Sequence, residues 1–318
     1  MDPRVLRIGE SIKNMEIRGA GKIARSAAEA LKIISKSSKA KNPEEFISEI
    51  KEGAKFLLKT RPTAVSLPNA LRFLLLKTFE DYKKERNLET LKERVIRNSE
   101  GFIESSLKAV ARIGEIASQR IRNGDIIMTH CHSKCVVSVL RDAHKDGKRF
   151  QVFVREARPR YQGRITARKL RDLGIPVTFI VDSATRYFIG DINQVLIGAD
   201  AITANGAVIN KIGTSALGAL AKEARVRVTC VAESYKFHPG TLLGELVEIE
   251  ERSKYEIIPK ELEKEFEGVV IRNPAFDITP PEYIDVIVTE RGVIPPQAAI
   301  MVLIEQYGWT FSEKEPWD

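Results

Sequence analysis

The stretch DIIMTHC at residues 125–131, with SVLRDAHKDG at 138–147 and FQVFVREA at 150–157, sets the pattern for the second half of the chain. A β-rich apolar run, an amphipathic helical segment and a second β-rich run follow one another closely. Strand, helix and strand in this order favour a parallel sheet covered by helices. The sequence therefore predicts an α/β fold from this point onward.

The same alternation continues toward the C-terminus. The further β-rich runs are VTFIVDS from Val177, VLIGADAITA from Val195, VRVTCVAES from Val226 and YIDVIVTE from Tyr283. Most of the runs are separated by helical segments, such as ITARKLRDLG and TSALGALAKEA. This pattern predicts a Rossmann-like, doubly wound parallel sheet. Ligands of such sheets bind beyond the carboxyl ends of the strands, so the residues after each run are candidates for a site.

The first 120 residues or so have a helical period instead. Apolar residues recur at helical spacing through 23–34, 46–58 and 71–79. A charge-rich helix is predicted from about Leu88 to Ile121, ending at Asn123-Gly124, where the glycine would form a left-handed C-cap. We therefore expect an N-terminal helical domain, residues 1–122 including this long linker helix, and a Rossmann-like α/β catalytic domain, residues 123–318.

Composition limits the partners. The 318 residues carry 51 Lys and Arg against 43 Asp and Glu, a net charge of +8, which favours anionic ligands. Basic residues are scattered, aromatic residues are only 7%, and no nucleic-acid-binding signature occurs, so a small phosphorylated ligand is a better expectation than nucleic acid. The chain shows neither a long apolar span nor a signal peptide, which predicts a cytoplasmic protein without membrane contact.

The segment THCHSKC at 129–135 is the first candidate site. Cys131 would lie at the carboxyl edge of its strand, and the backbone N–H groups around Ser133, Lys134 and Cys135 would form a helix N-terminus suited to phosphate. We expect Lys134 and the helix dipole to lower the pKa of Cys131 toward a thiolate that can accept protons. The alternative is an inert cysteine that only packs.

A metal or an organic cofactor is a weaker reading of the same chain. His130, Cys131, His132 and Cys135 are all zinc-type ligands, but neighbours in a strand point to opposite faces and no second Cys/His pair completes a tetrahedral set. The three cysteines also form no disulfide framework, so we expect reduced thiols. No G-x-G-x-x-G or P-loop occurs. We therefore expect neither metal nor cofactor.

The second candidate site is GAD at 198–200. An acidic residue that ends an apolar run is costly to bury unless it is paired or chemically used; the alternative for Asp200 is a turn or a helix cap. Asn210 and Lys211 precede the Gly-Thr-Ser start of a helix, which predicts a second oxyanion site. Further candidates are Arg18, Gly19, Ala20, Gly21, Arg61, Gln162 and Lys236. A single Arg or Lys of this kind is more often a solvated surface charge than a ligand contact.

These motifs together resemble a known superfamily, which joins methylthioribose-1-phosphate isomerases, archaeal ribose-1,5-bisphosphate isomerases and the regulatory subunits of translation initiation factor 2B. The resemblance covers nearly the whole chain and rests on IRGAG from Ile17, TRPTAV from Thr60, THC at 129–131, E-x-RPRYQGR from Glu156, GAD at 198–200, NKIGT from Asn210, AESYKF from Ala232 and NPAFDITPPEYI from Asn273.

Three residues bear on the choice of branch. The initiation-factor subunits generally lack the Cys and Asp pair that this chain has at Cys131 and Asp200, which favours an enzyme. The methylthioribose enzymes differ around both residues and lack the Lys that stands here as Lys236. The chain therefore resembles the ribose-1,5-bisphosphate isomerases most, with the other two branches as alternatives.

The resemblance implies a reaction and its residues. Asp200 would act as the acid that opens the sugar ring, and Cys131 as the base that takes the C2 proton. The substrate would be bound by a larger set, in which the backbone N–H groups at 19–21 and 133–135 and several side chains hold the two phosphates and orient the sugar: Arg18, Gly19, Ala20, Gly21, Arg61, Ser133, Lys134, Cys135, Gln162, Asn210, Lys211 and Lys236. It also implies a homo-oligomer of dimers, with a hexamer as one form, a role in nucleoside and AMP degradation, and AMP as a candidate activator.

Overall fold

The computed structural model describes residues 1–17, 19–61, 66–307 and 316–317. The chain begins with five helices, which are α1 (Pro3–Lys13), α2 (Ala20–Ser37), α3 (Pro43–Thr60), α4 (Ser66–Lys84) and α5 (Leu88–Ser118). The apolar positions recognised in the sequence at 23–34, 46–58 and 71–79 lie in α2, α3 and α4, and most of them are buried in one common core. The helical N-terminal part is therefore confirmed. Within the described ranges, no helix has the length and apolar character needed to cross a membrane.

The end of α5 differs from the prediction. The helix ends at Ser118, before the Asn123-Gly124 pair. Arg120 N donates to Ala117 O and Ile121 N to Ser118 O, so bonds that span three residues tighten and end the last turn. Gly124 is left-handed, with a φ of 86°, but it forms the turn into the first strand, where its N–H donates to Arg149 O. The predicted glycine C-cap is therefore wrong.

A seven-stranded sheet follows, with six parallel strands and one antiparallel edge strand. Its strands are β1 (Ile126–His130), β2 (Gln151–Arg155), β3 (Val177–Ile180), β4 (Gln194–Ile197), β7 (Arg227–Val231), β9 (Val286–Thr289) and β10 (Gly292–Ile294). The spatial order is β3-β2-β1-β4-β7-β9-β10. The first strand thus lies inside the sheet, and the order reverses between β1 and β4, which is the arrangement of a Rossmann-like sheet. The predicted fold class is confirmed.

Helices cover both faces of this sheet. They are α6 (Lys134–Lys145), α7 (Gly163–Asp172), α8 (Thr185–Phe188), α9 (Thr214–Glu223) and α10 (Ala299–Tyr307). Apolar strand residues alternate between two cores, one that includes Met128, Val195 and Val228 and one that includes Ile127, Leu196 and Val231. Burial on both faces explains why these strands are continuous apolar runs in the sequence.

A small antiparallel sheet was not predicted. It consists of β5 (Ala201–Ile202), β6 (Val208–Lys211) and β8 (Phe276–Thr279), in the order β5-β6-β8. Because β5 begins directly after Asp200 and β6 ends at Lys211, this sheet places both residues beside the carboxyl ends of the parallel strands. It therefore forms one wall of the candidate site.

Candidate active site

The site lies where the order of the parallel strands reverses. Cys131 follows β1 directly, and Asp200 follows β4 after two residues; β1 and β4 are hydrogen-bonded neighbours. Both residues line one pocket. Residues 69 positions apart in the sequence meet because parallel neighbours end at the same edge of a sheet.

Almost all predicted site residues line this pocket. They are Gly19, Ala20, Gly21, Arg61, Cys131, Ser133, Lys134, Cys135, Gln162, Asp200, Asn210, Lys211 and Lys236. Arg18 lies outside the described residues. The pocket thus joins residues of the N-terminal helices, the parallel sheet and the small antiparallel sheet. Among the described residues, no group of three or more His, Cys, Asp and Glu is arranged to hold a metal ion.

Two helix N-termini open into the pocket. Ser133 caps α6, since its Oγ accepts a hydrogen bond from Val136 N at 3.4 Å, and α6 then begins at Lys134. Gly19 precedes α2 with a φ of 86°, a left-handed value that glycine adopts without strain. The first backbone N–H groups of a helix lack partners within the helix and attract anions. The pocket therefore has two places suited to phosphate.

The third helix start, predicted as an oxyanion site, is already occupied. The Asp277 carboxylate accepts hydrogen bonds from Gly213 N at 2.7 Å and Ser215 N at 3.1 Å, at the beginning of α9. A bound carboxylate satisfies the N–H groups that a phosphate would need. The prediction of a second oxyanion site at this helix is therefore wrong, although Asn210 and Lys211 do line the pocket.

Burial changes the proton affinity of both central residues. Burial raises the pKa of Cys131 to about 11, against a smaller lowering by Lys211, while the charge of Asp200 raises it further. The predicted lowering of this pKa by Lys134 is therefore wrong, because loss of water outweighs the nearby positive charge. Burial also raises the pKa of Asp200, although Lys236, Lys211 and Arg61 oppose the effect. A raised carboxyl pKa suits a proton donor.

The backbone of Cys131 is unusual. Its φ is 66°, in the left-handed region that residues with a side chain rarely adopt. Such conformations cost about 1 kcal/mol or more and occur preferentially at functional sites. The Cys131 thiol therefore takes its direction from a strained turn between β1 and α6.

Three cationic residues that line the pocket, Lys236, Arg61 and Lys211, have protein partners of their own. Lys236 Nζ lies 2.7 Å from Glu233 Oε2, with both side chains buried, and Arg61 Nη2 lies 2.7 Å from Glu250 Oε2. Burial opposes the charge of Lys236, but the Glu233 carboxylate raises its pKa well above the usual value. Lys211 Nζ donates to Ala275 O at 2.8 Å. Each of these cations is thus fixed in position before any ligand contact is considered.

Among the described residues, the pocket wall contains buried polar atoms that have neither a hydrogen bond nor an ion pair. Arg61 Nε and Gln162 Oε1 make no hydrogen bond within the described part of the chain. Buried polar groups are normally satisfied, so such atoms mark a place where a polar ligand would compensate them. Both belong to residues that the sequence had already indicated.

Other pocket residues were missed in the sequence. Lys22 directly follows the IRGAG motif, and Arg252 belongs to a segment without a recognisable motif. Arg252 forms an ion pair with Glu256, which also binds Arg160 at 2.8 Å. Lys22 could have been predicted as a site residue, because it is a positive charge directly after the IRGAG motif. No local signal identifies Arg252, because its place depends on long-range packing.

Comparison with known proteins identifies the family. The profile of the initiation factor 2 subunit family matches residues 16–296. The chain belongs to this family. The superfamily resemblance drawn from the motifs is confirmed.

Relatives within this family include named isomerases. The chain is 55% identical over 315 residues to a ribose 1,5-bisphosphate isomerase of Pyrococcus furiosus, covering 99% of this chain and 97% of the relative. It is 36% identical to a methylthioribose-1-phosphate isomerase of Acetivibrio thermocellus, covering 92% and 88%. Among solved structures, translation initiation factor eIF-2B of Pyrococcus horikoshii OT3 is similar with a TM-score of 0.80 and 30% identity, covering 94% of this chain and 100% of that one.

Proposed function

We propose that the chain is an isomerase that converts ribose 1,5-bisphosphate into ribulose 1,5-bisphosphate. One observation carries the proposal: a cysteine and an aspartate with raised pKa values share a pocket that also holds two helix N-termini. The 55% identity to a ribose 1,5-bisphosphate isomerase over nearly the whole chain supports this substrate.

Ring opening is the first step of the proposed mechanism. Phosphate on C1 blocks the free aldehyde, so the bond from C1 to the ring oxygen must break with help from an acid. Asp200 in its protonated form donates a proton to the ring oxygen and leaves C1 electron-deficient. Because burial raises the pKa of Asp200, more of this carboxyl is protonated than in an exposed aspartate.

Proton transfer at C2 is the second step. The Cys131 thiolate takes the C2 proton, and the electron pair of that bond forms the C1–C2 double bond of an enol phosphate. Cys131 then returns a proton to C1, while the Asp200 carboxylate takes the proton of the C2 hydroxyl and the ketone forms. Both residues end in their starting states, so the cycle balances without an external proton.

Formation of the thiolate sets a condition on this mechanism. With a pKa of about 11, Cys131 is mainly a thiol at neutral pH. Lys211 lowers this pKa and is the cation that stabilises the reacting thiolate.

We assign phosphate binding to the backbone N–H groups of residues 19–21 and 133–135 and to the side chains of Arg61, Asn210 and Lys236, with Gln162 contacting the sugar or a phosphate oxygen.

Physiological context is part of the proposal. We expect a cytoplasmic enzyme of nucleoside and AMP degradation that assembles into dimers and, as one form, a hexamer. AMP is a candidate activator. These expectations rest on the family resemblance alone.

The test supplies the protein with both sugar phosphates of the family's enzymes. Ribose 1,5-bisphosphate and methylthioribose 1-phosphate are incubated in parallel, and ketose formation is followed by ³¹P and ¹³C NMR. Turnover of the bisphosphate alone supports the proposal. Turnover of methylthioribose 1-phosphate instead assigns the chain to the branch of its 36% identical relative.

Two variants separate this chemistry from contaminating activity. Cys131→Ser and Asp200→Asn should each lose about two to four orders of magnitude in kcat, because each removes a general acid or base. The double variant should be little worse than the poorer single variant, since the residues act as a unit. If either single variant keeps a large fraction of wild-type turnover, the mechanism is wrong. Absence of turnover with both substrates, together with binding to a translation factor, would favour a regulatory subunit.

A further inference from the structure

Thr166 binds the turn that carries Cys131 from behind. It lies in α7, is almost completely buried, and does not line the pocket. Its hydroxyl donates to the Cys131 carbonyl oxygen at 2.8 Å and lies 2.9 Å from Nδ1 of His132. One side chain from a different helix therefore contacts two consecutive residues of the pocket wall.

The number of protons available to Thr166 and His132 determines the tautomer of His132. A threonine hydroxyl has a single proton, and here it is donated to the Cys131 carbonyl oxygen. Nδ1 of His132 must therefore donate its own proton to Thr166 Oγ1. Burial, together with Lys169 and Lys134, lowers the pKa of His132 to about 4, so the ring is neutral and Nε2 carries no proton. His132 lines a pocket rich in cations and N–H donors, and its Nε2 is a neutral acceptor nitrogen.

The same contact restrains the strained residue. Cys131 has a φ of 66°, and its carbonyl lies beyond the last residue of β1, where the strand ladder no longer holds it. The Thr166 hydroxyl donates a hydrogen bond that fixes this carbonyl. Since the carbonyl and the side chain share one α-carbon, fixing the carbonyl also fixes the direction of the Cα–Cβ bond, which limits the thiol to the few positions that rotation about this bond allows.

We propose that Thr166 is a positioning residue for the isomerisation, which holds the Cys131 thiol at its reacting place and orients His132 so that Nε2 accepts a hydrogen bond from a sugar hydroxyl. The acceptor suits a hydroxyl because phosphate oxygens are acceptors themselves and gain nothing from an unprotonated nitrogen. The inference rests on the proposed function, since it names further residues of that site.

Variants at residue 166 test the hydroxyl itself. Thr166→Val keeps the shape and removes the donor, and Thr166→Ala removes it without adding a methyl group. Both should lower kcat about 100-fold with KM changed less than about threefold, as expected for a misplaced reacting group. Thr166→Ser keeps the hydroxyl and should retain at least about a third of wild-type kcat. Equal loss in the serine and valine variants, or wild-type kcat in the valine variant, would overturn the proposal.

The matched control is Thr78→Val. Thr78 is also almost completely buried, and its hydroxyl donates to a backbone carbonyl, that of Leu74 at 2.8 Å, but it lies in α4 and does not line the pocket. This variant should keep wild-type kcat and KM at a similar cost in melting temperature. If it lowers kcat as much as Thr166→Val does, the effect of residue 166 is general destabilisation and the proposal fails.

His132→Asn distinguishes the role of Nδ1 as a donor to Thr166 from the role of Nε2 as an acceptor. The asparagine amide can still donate to Thr166 Oγ1, but the acceptor at the place of Nε2 is lost. KM should rise about fivefold or more, since a buried hydroxyl would lose its partner, while kcat should fall less than in Thr166→Val. Unchanged KM would remove the sugar hydroxyl from the proposal.

A measurement that does not depend on turnover tests the positioning role of Thr166 separately from the proposed isomerase function. Alkylation of Cys131 by iodoacetamide is followed by mass spectrometry in the wild type and in the serine and valine variants of residue 166. We expect at least a twofold faster reaction in Thr166→Val alone, because the released thiol leaves its buried place. Equal or slower alkylation would overturn the positioning role, even if the wild type turns over neither sugar phosphate.

Discussion

Gly198 lies against the side chain of Ser133, so that a methyl group added to Gly198 would be 2.6 Å from Ser133 Oγ and 2.7 Å from its Cβ. Gly198 follows β4 and Ser133 caps α6. The end of β4 thus touches the start of α6, the helix that follows the neighbouring strand β1. Glycine at 198 allows the Asp200 loop and the phosphate-binding helix start to approach each other closely.

Gly198→Ala should therefore damage both packing and activity. The added methyl group must displace Ser133, and overpacking of this kind costs about 1–3 kcal/mol of unfolding free energy. We expect kcat/KM to fall at least about tenfold. Urea unfolding and steady-state kinetics measure the two effects. The control is Gly101→Ala in α5, where the added carbon would meet no described atom within 4 Å beyond its own helix backbone and chain neighbours, and a gain of about 0.5–1 kcal/mol is expected. Wild-type activity in Gly198→Ala would show that Ser133 can move without consequence.

The raised pKa of Cys131 predicts the pH dependence of its alkylation. Only the thiolate reacts, so the rate with iodoacetamide should rise about tenfold for each pH unit from 7 to 9 and level off only near pH 11. Cys135 and Cys230, exposed by 1% and 0%, should not react. A plateau near pH 8 would contradict the raised pKa.

Two substitutions should shift this alkylation profile in opposite directions. The charge of Asp200 raises the pKa of Cys131 and that of Lys211 lowers it. Asp200→Asn should therefore move the profile to lower pH, and Lys211→Met to higher pH. Shifts in the same direction would mean that the two charges do not act on the thiol directly. Mass spectrometry of the Cys131 peptide provides the rates.

The buried ion pair of Lys236 and Glu233 predicts a stability effect. Lys236→Met should cost about 3–5 kcal/mol of unfolding free energy, because it leaves the Glu233 carboxylate buried without its cationic partner. Glu233→Gln combined with Lys236→Met should recover most of this loss. Urea unfolding of the single and double variants checks both values, and a single variant as stable as the wild type would contradict the role of the pair.

The double variant also isolates ligand binding. Because the double variant is expected to restore the fold, a rise in its KM for the bisphosphate beyond that of Glu233→Gln alone reports the contact of Lys236 with phosphate. A charge-assisted contact of this kind is worth about 1.5–3 kcal/mol. An unchanged KM would remove Lys236 from the phosphate-binding residues.

His238 predicts a loss of stability in mild acid. Burial and the nearby Arg72 lower its pKa from 6.5 to about 4, and its Nδ1 accepts a hydrogen bond from Gly240 N at 3.2 Å. Between pH 6.5 and 4 the unfolded chain binds this proton and the folded chain does not, so stability falls as pH falls through this window. His238→Asn keeps an acceptor but cannot titrate. It should reduce the loss by at most about 3 kcal/mol in urea unfolding at pH 7 and pH 4. An identical slope in both proteins would contradict this assignment.

The sequence predicted those features that local patterns determine. All six β-rich runs became strands, and Cys131 and Asp200 came together because the strand order of a doubly wound sheet brings the ends of β1 and β4 to one edge. The domain division between residues 122 and 123 stays a prediction. So do the roles of the site residues.

Long-range contacts explain what the sequence did not predict. The start of α9 is filled by Asp277, which lies 64 residues beyond Gly213 and reaches it through the pairing of β8 with β6. The pKa of Cys131 depends on how tightly the pocket closes around the thiol, which a count of neighbouring lysines does not reveal. Thr166 carries no signal because its importance depends on the place of α7 behind Cys131.

The two helix N-termini of the pocket belong to different parts of the chain, since α2 lies among the N-terminal helices and α6 packs on the parallel sheet. An anion bound between them is shared by both parts. Moving the N-terminal helices away from the sheet would then require release of the ligand. The ligand therefore adds its binding free energy to the cost of separating the helices from the sheet. It leaves the internal stability of each part unchanged. A bisphosphate in this pocket would act as a removable crosslink between the N-terminal helices and the parallel sheet.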